Sequence, residues 1–142
     1  MLAYFETSAL VKLIIQEEHS DQALAVWNSA EMVHSSIVAL AESLAAVAQA
    51  RRGGRITRST HEEAKIEVRE RFEDLLASHV SRDLAERAGE LAEEHGLRGY
   101  DAIHLASALA LEARDLVMVT WDRALAKAAG LSGLRVVGAM AT

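Results

Sequence analysis

Short continuous apolar runs alternate along the chain with longer stretches in which apolar positions recur every three or four residues. That pattern predicts buried parallel strands separated by helices. Leu2-Ala3-Tyr4-Phe5 is the first such run, ending at Glu6, and Thr7 and Ser8 then offer hydroxyl caps to a helix carrying Ala9, Leu10, Leu13 and Ile14. A second helix is predicted over residues 20–30 and a second strand over Met32-Val33-His34-Ser35. Ser36 can cap a third helix that runs from Ile37 to the stop at Gly53-Gly54. Ser59 with Glu62, and Thr60 with Glu63, fit the capping box of a fourth helix, whose apolar face is read as Ala64, Val68, Phe72, Leu75 and His79. Ser81 opens a further helix with Leu84, Ala88 and Leu91 in line, ended by Gly96, and another is read from Tyr100 to Ala113. Leu116 to Trp121 is the most β-rich strand, followed by a helix from Asp122 to Gly130 and a last strand at Leu134 to Val137. The expectation is one α/β domain over residues 1–142, a four- or five-stranded parallel sheet between two helical layers.

Composition narrows this picture. The 142 residues are 51% hydrophobic and 25% charged, which suits one domain with a core. No apolar run reaches the roughly 18 residues of a membrane span, and MLAYFET does not read as a signal peptide, so a soluble cytoplasmic protein without membrane contact is expected. Cysteine is absent, so any metal must be held by oxygen or imidazole. Proline is absent too, which favours uninterrupted helices. The net charge of −6 at first argues against a nucleic-acid partner.

In parallel α/β sheets, chemistry concentrates at the carboxyl ends of the strands. Glu6 closes the first strand and Asp122 follows the strand that begins at Leu116. Glu42 is the only charge in the segment Ile37 to Ala48, a helix whose apolar circumference predicts burial, where an uncompensated carboxylate is costly. Asp101 lies in the first turn of its helix, with His104 one turn on. Taken singly, Asp101 and Asp122 are equally explained as a dipole complement and a helix cap. His34, His79 and His104 form no HExxH or similar pairing and read as packing or hydrogen-bonding residues, with His104 alone kept in view for its spacing from Asp101.

Four segments together carry a family resemblance: Phe5-Glu6-Thr7-Ser8-Ala9-Leu10-Val11-Lys12-Leu13; Ser36 through Ala41-Glu42; Gly96-Leu97-Arg98-Gly99-Tyr100-Asp101-Ala102-Ile103-His104-Leu105-Ala106; and Val119-Thr120-Trp121-Asp122-Arg123-Ala124-Leu125. In order and spacing they resemble the PIN domain of VapC-type toxin ribonucleases over essentially the whole chain. The resemblance implies a three-layer α/β/α fold with strand order 3-2-1-4-5, and a short extra strand at His79-Val80. It also implies that Glu6, Glu42, Asp101 and Asp122 together hold Mg²⁺ or Mn²⁺ and form the catalytic set. Four clustered carboxylates repel one another, and hard divalent cations relieve that repulsion. The implied activity is endonucleolytic RNA hydrolysis by metal-activated water, leaving a 3′-hydroxyl and a 5′-phosphate. Thr7, Ser8 and Thr120 are candidates for orienting carboxylates or metal waters, and equally for plain caps. The implied partners are an RNA, a tRNA or rRNA, a cognate VapB-like antitoxin and a second copy of the chain.

One position departs from the family pattern: Glu6 stands where the resemblance leads one to expect Asp. The longer side chain implies either an adapted site or a weakened one, and a catalytically impaired module that binds RNA or antitoxin is the competing reading. A phosphoacceptor signalling domain would need a paired acid after the first strand, which the sequence lacks. For RNA contact the candidates are Arg51, Arg52, Arg55 and Arg58, clustered around Gly53-Gly54, with Lys12, Arg98 and Arg123 beside the acids. Six aromatic residues leave few platforms for base stacking.

Overall fold

The computed structural model describes residues 1–140. In chain order the elements are β1 (Leu2–Phe5), α1 (Thr7–Ile14), α2 (Ser20–Ser29), β2 (Met32–Ser36), α3 (Val38–Arg52), α4 (Arg58–Glu73), β3 (Leu76–Ser78), α5 (Arg82–His95), α6 (Gly99–Ala110), β4 (Leu116–Thr120), α7 (Arg123–Leu131) and β5 (Arg135–Gly138). The five strands are all parallel, in the order β3-β2-β1-β4-β5. In register, Leu2 of the central strand faces Met32 on one side and Leu116 on the other.

Alternation along the strands divides the core between two helical layers. Ala3, Phe5, Val117 and Val119 pack with Ala9, Leu10 and Ala39, and Trp27 sits edge-on to Phe5 at 5.4 Å. Tyr4, Leu116 and Met118 point the other way, onto Ala88 and Leu91 of α5, Leu105 of α6 and Leu125 of α7. A third cluster of Ile15, Val47, Ala50, Ala64 and Val68 fastens α3 and α4 to the end of α1. Full burial of Tyr4 and Phe5 on opposite faces is worth about 1.5–3 kcal/mol for an apolar side chain of that size, so neither the strand nor its register can slip cheaply.

Several boundaries differ from the sequence reading, each for a local reason. The extra strand is Leu76–Ser78 and not His79-Val80: Ser78 pairs with Ser36, and His79 lies beyond it. Consequently α4 ends at Glu73, and neither Leu75 nor His79 belongs to its apolar face. The cap of α4 is Thr57, whose Oγ1 accepts the Thr60 N–H at 3.1 Å, so the Ser59 and Thr60 capping boxes do not form. Helix α6 stops at Ala110, and Glu112 takes a left-handed conformation just beyond it. Helix α3 is not buried all round. Ala39, Ser43, Val47 and Ala50 form its inner stripe, while the small side chains Ala41 and Ala45 face solvent, because alanine tolerates exposure that larger apolar residues avoid.

At the end of β5, Gly138 has φ +128°, and a Cβ there would lie 2.0 Å from the Thr120 carbonyl oxygen. The backbones of β4 and β5 can approach this closely only without a side chain. Gly138→Ala is expected to cost about 3 kcal/mol or more in urea-induced unfolding, from steric overlap added to a conformation rare for L-residues. Gly89→Ala, in the exposed middle of α5 with nothing within 4 Å of the added carbon, should be neutral or stabilising by up to about 1 kcal/mol. Equal effects of the two would mean that the Gly138 contact does not control the edge of the sheet.

Candidate active site

An open cleft of about 530 Å³ lies at the carboxyl ends of β1 and β4 and is lined by Glu6, Glu42, Asp101 and Asp122 with Thr7, Ser8, Lys12, Arg55 and Arg98. The topology explains the gathering. β1 and β4 are adjacent and parallel, so the residues after them, Glu6 and Trp121-Asp122, emerge side by side. Asp101, at the start of α6, and Glu42, in the second turn of α3, reach the same cleft from neighbouring elements.

Glu6 is only 5% exposed, yet its backbone carbonyl starts α1 and its side chain is well supported. Thr120 Oγ1 donates to Oε2 at 2.7 Å, and Ser8 Oγ donates to the same oxygen. Among the described residues no donor reaches Oε1. Burial pushes the Glu6 carboxyl up from its usual range, against the hydrogen bonds from Ser8 and Thr120. Thr7, Ser8 and Thr120 are thus not helix caps. Thr7 Oγ1 donates to Glu42 Oε1 at 2.7 Å, while Ser8 Oγ also accepts the Trp121 N–H at 2.8 Å.

Glu42 is held from below by a residue whose part the sequence reading left open. The fully buried His104 ring places Nε2 at 2.7 Å from Glu42 Oε1 and Nδ1 at 2.8 Å from the Tyr4 hydroxyl. A neutral imidazole satisfies both contacts in one tautomer: Tyr4 donates to Nδ1 and Nε2–H donates to Glu42. Burial alone would raise the Glu42 carboxyl, but hydrogen bonds from His104 and Thr7, with the charge of Arg98, bring it below its usual range. The Tyr4 hydroxyl is raised far above its usual range by burial, so it stays a donor.

Asp122 caps α7, its Oδ1 accepting the Leu125 N–H at 2.9 Å, which leaves Oδ2 outside the cap. Arg98 stands between the last two acids, with Nε 3.3 Å from Asp101 Oδ2 and Nη2 3.9 Å from Asp122 Oδ2. Asp101 is raised by burial and by the neighbouring Asp122 charge, and Arg98 offsets part of both. With 84% of its side chain exposed, Arg98 is free to swing away.

The basic residues occupy different places in the chain's elements. Arg55 lines the cleft, 3.9 Å from Glu17, but Arg51 and Arg52 end α3, where they complement its dipole, and Arg58 opens α4. Lys12 is largely covered, pairing with Glu17 at 3.1 Å and lying 5.2 Å from the centre of the Trp121 ring. Arg123 begins α7 and faces a second cavity, beyond Trp121.

A parallel sheet of this order, with acids converging after its first and fourth strands, is a PIN-type architecture, and the sequence agrees: the PIN-domain family profile matches residues 3–131. The chain belongs to the PIN-domain family. Within it, the chain is 38% identical over 138 residues to Ribonuclease VapC45 and, equally, to Ribonuclease VapC49, both of Mycobacterium tuberculosis, covering 97% of this chain and 96% of each relative. Among solved structures, a toxin–antitoxin complex from Klebsiella pneumoniae contains a chain of the same fold, with a TM-score of 0.69 and 24% identity over 99% of both chains.

The Tyr4–His104–Glu42 chain has a direct stability consequence. Tyr4→Phe removes the hydroxyl and leaves the buried His104 Nδ1 without its partner, which should cost about 1–3 kcal/mol in chemical denaturation. A loss below about 0.3 kcal/mol would show that the contact is not a formed hydrogen bond.

Proposed function

We propose that this chain is the toxin half of a toxin–antitoxin pair and cleaves RNA endonucleolytically with Mg²⁺ or Mn²⁺. The observation that carries the reading is the single cleft shared by Glu6, Glu42, Asp101 and Asp122, with an exposed arginine bridging the last two acids. The donor set fits a hard divalent cation, since all four groups are carboxylates, and Glu6 Oε1 and Glu42 Oε2 take no protein hydrogen bond among the described residues. When bound, such an ion supplies a Lewis acid to a phosphate oxygen and a nucleophilic water at neutral pH.

The chain's own residues prepare that chemistry. Ser8 and Thr120 fix one oxygen of Glu6 and leave the other to the cleft. Thr7 and His104 do the same for Glu42. Arg98 is the natural competitor for the cation position between Asp101 and Asp122, and on leaving them it becomes a donor to substrate phosphate. The kinship with the VapC ribonucleases supports RNA, a tRNA or rRNA, as substrate. Likeness to a chain of a toxin–antitoxin complex supports a VapB-like antitoxin as partner. Family kinship likewise supports a homodimer and a cytoplasmic site of action. Among the described residues no helix is long and apolar enough to cross a membrane.

A second reading, a PIN module that binds without cutting, is favoured by two observations. Among the described residues no three Asp, Glu or His side chains converge closely enough for a ready metal site, and the first acid is Glu6. One set of variants separates the readings. On the nuclease reading, Mn²⁺-dependent cleavage of total RNA falls at least about 100-fold in Asp101→Asn. Glu6→Asp raises cleavage by up to about 100-fold if the extra methylene misplaces the carboxylate by ~1 Å. Equal activity of the unaltered chain and the Glu6→Asp variant would show that Ser8 and Thr120 already place the longer side chain, and absence of cleavage in both would support the binding module.

A further inference from the structure

Beyond the acidic cleft lies a second cavity, of about 600 Å³, lined by His19, Trp121, Arg123, Gly138, Ala139 and Met140. Its size falls within the range of small-ligand sites. Among the described residues no carboxylate lines it, and Glu18 Oε1 lies 3.4 Å from His19 Nε2 at its edge. Among its lining residues is Trp121, which stands between Thr120, which holds Glu6, and Asp122. Lys12 joins the two spaces, since it lines the acidic cleft and also lies over the indole at 5.2 Å.

The arrangement is built at some cost. The His19 ring stands nearly parallel to the indole, at 18° and 6.0 Å between ring centres, and the backbone of His19 is held at φ +69°, a left-handed conformation uncommon for a residue with a side chain. On the opposite wall, Gly138 passes so close that a Cβ there would lie 3.2 Å from the indole ring. The Trp121 backbone N–H donates to Ser8 Oγ, which ties the turn bearing the ring to the helix that follows Glu6. Trp27, edge-on to Phe5, and Trp121 both pack, partly buried, against the same core cluster.

We propose that Trp121, flanked by His19, is the stacking platform for an unpaired nucleobase next to the phosphate bound at the acids, with Arg123 facing the adjoining phosphate. Two near-parallel rings beside a cationic side chain suit the flat face and charged backbone of single-stranded RNA, and stacking of this kind tolerates any base. Adjacency to the cleft gives the platform its purpose: it orients the strand across the acids. The proposal rests on the nuclease reading and adds to it where the RNA is gripped.

The test uses Trp27→Phe as background, so that Trp121 is the sole tryptophan, and titrates it without divalent metal against a six-nucleotide single-stranded RNA and the same oligomer made abasic. Expected are quenching of Trp121 emission by the first oligomer alone and about tenfold weaker binding of it by Trp121→Ala, partly restored in Trp121→Phe. Because Trp121→Ala can disturb the β4–α7 turn, His19→Ala serves as a second variant, expected to weaken binding about threefold with an unchanged unfolding midpoint. Equal affinity for the abasic oligomer, no quenching, or undiminished binding by Trp121→Ala and His19→Ala overturns the platform. Failure of the nuclease reading shows separately, as absence of metal-dependent cleavage by the unaltered chain, whatever Trp121 does.

Discussion

A carboxylate buried at the end of the central strand is the constraint around which the rest of the structure is arranged. Glu6 lies where β1, β4 and α1 meet, with almost no access to water. Leaving such a group without donors would cost several kcal/mol. Its oxygen Oε2 is therefore met by two hydroxyls, and each hydroxyl holds something else. Thr120 Oγ1 also accepts the Asp122 N–H at 3.1 Å, and Ser8 Oγ also accepts the Trp121 N–H. The turn that carries the platform tryptophan and the fourth acid is thus fastened by the same two side chains that satisfy the first acid. Stability and site geometry are here one network, so a change at Thr120 or Ser8 acts on all three.

The second support runs through the opposite face of the sheet. Tyr4 and Phe5 are neighbours in β1 and point to opposite layers, so Tyr4 reaches under α6 while Phe5 packs beneath α1 and α2. That alternation brings the Tyr4 hydroxyl to His104, and His104 to Glu42 on α3. A histidine with no access to water is thereby given a single proton arrangement by its neighbours, and Glu42 receives a donor that does not depend on solvent. The acids consequently differ: Glu42 is lowered by its donors, whereas Glu6 and Asp101 are raised, burial leading in both. One cleft holds carboxylates with unequal appetite for protons, and a divalent ion would even out that inequality.

The sheet was legible because its strands are apolar runs bounded by polar residues; Glu6, Asp101 and Asp122 stood out at strand ends and helix starts, and Glu42 as the only charge between Ile37 and Ala48. What escaped had weaker local signals. β3 is three residues long, and Leu75 just before it falls in phase with the helical stripe of Val68 and Phe72, so the helix reading ran through it. Thr57 as the cap of α4 was hidden by Ser59 and Thr60, which satisfy the same pattern two and three residues later. The pairing of His104 with Tyr4 spans 100 residues and has no local trace, although the spacing from Asp101 to His104 placed both on one side of α6. The hydroxyls Thr7, Ser8 and Thr120 were ambiguous because a cap and a carboxylate donor need the same residue types at the same positions.

The net charge acquires a different meaning once the cations are located. The arginine cluster around Gly53-Gly54 suggested a basic surface that would offset the charge of −6 near the substrate. In the fold Arg55 lines the cleft, while Arg51 and Arg52, exposed at the end of α3, complement its dipole. Lys12 is paired with Glu17 and covered by Trp121, and Arg98 is engaged by Asp101 and Asp122. A net charge of this sign repels a phosphate backbone at long range. At the cleft itself Lys12, Arg55 and Arg98 are each paired with an acid, so the carboxylates set the sign of the local potential.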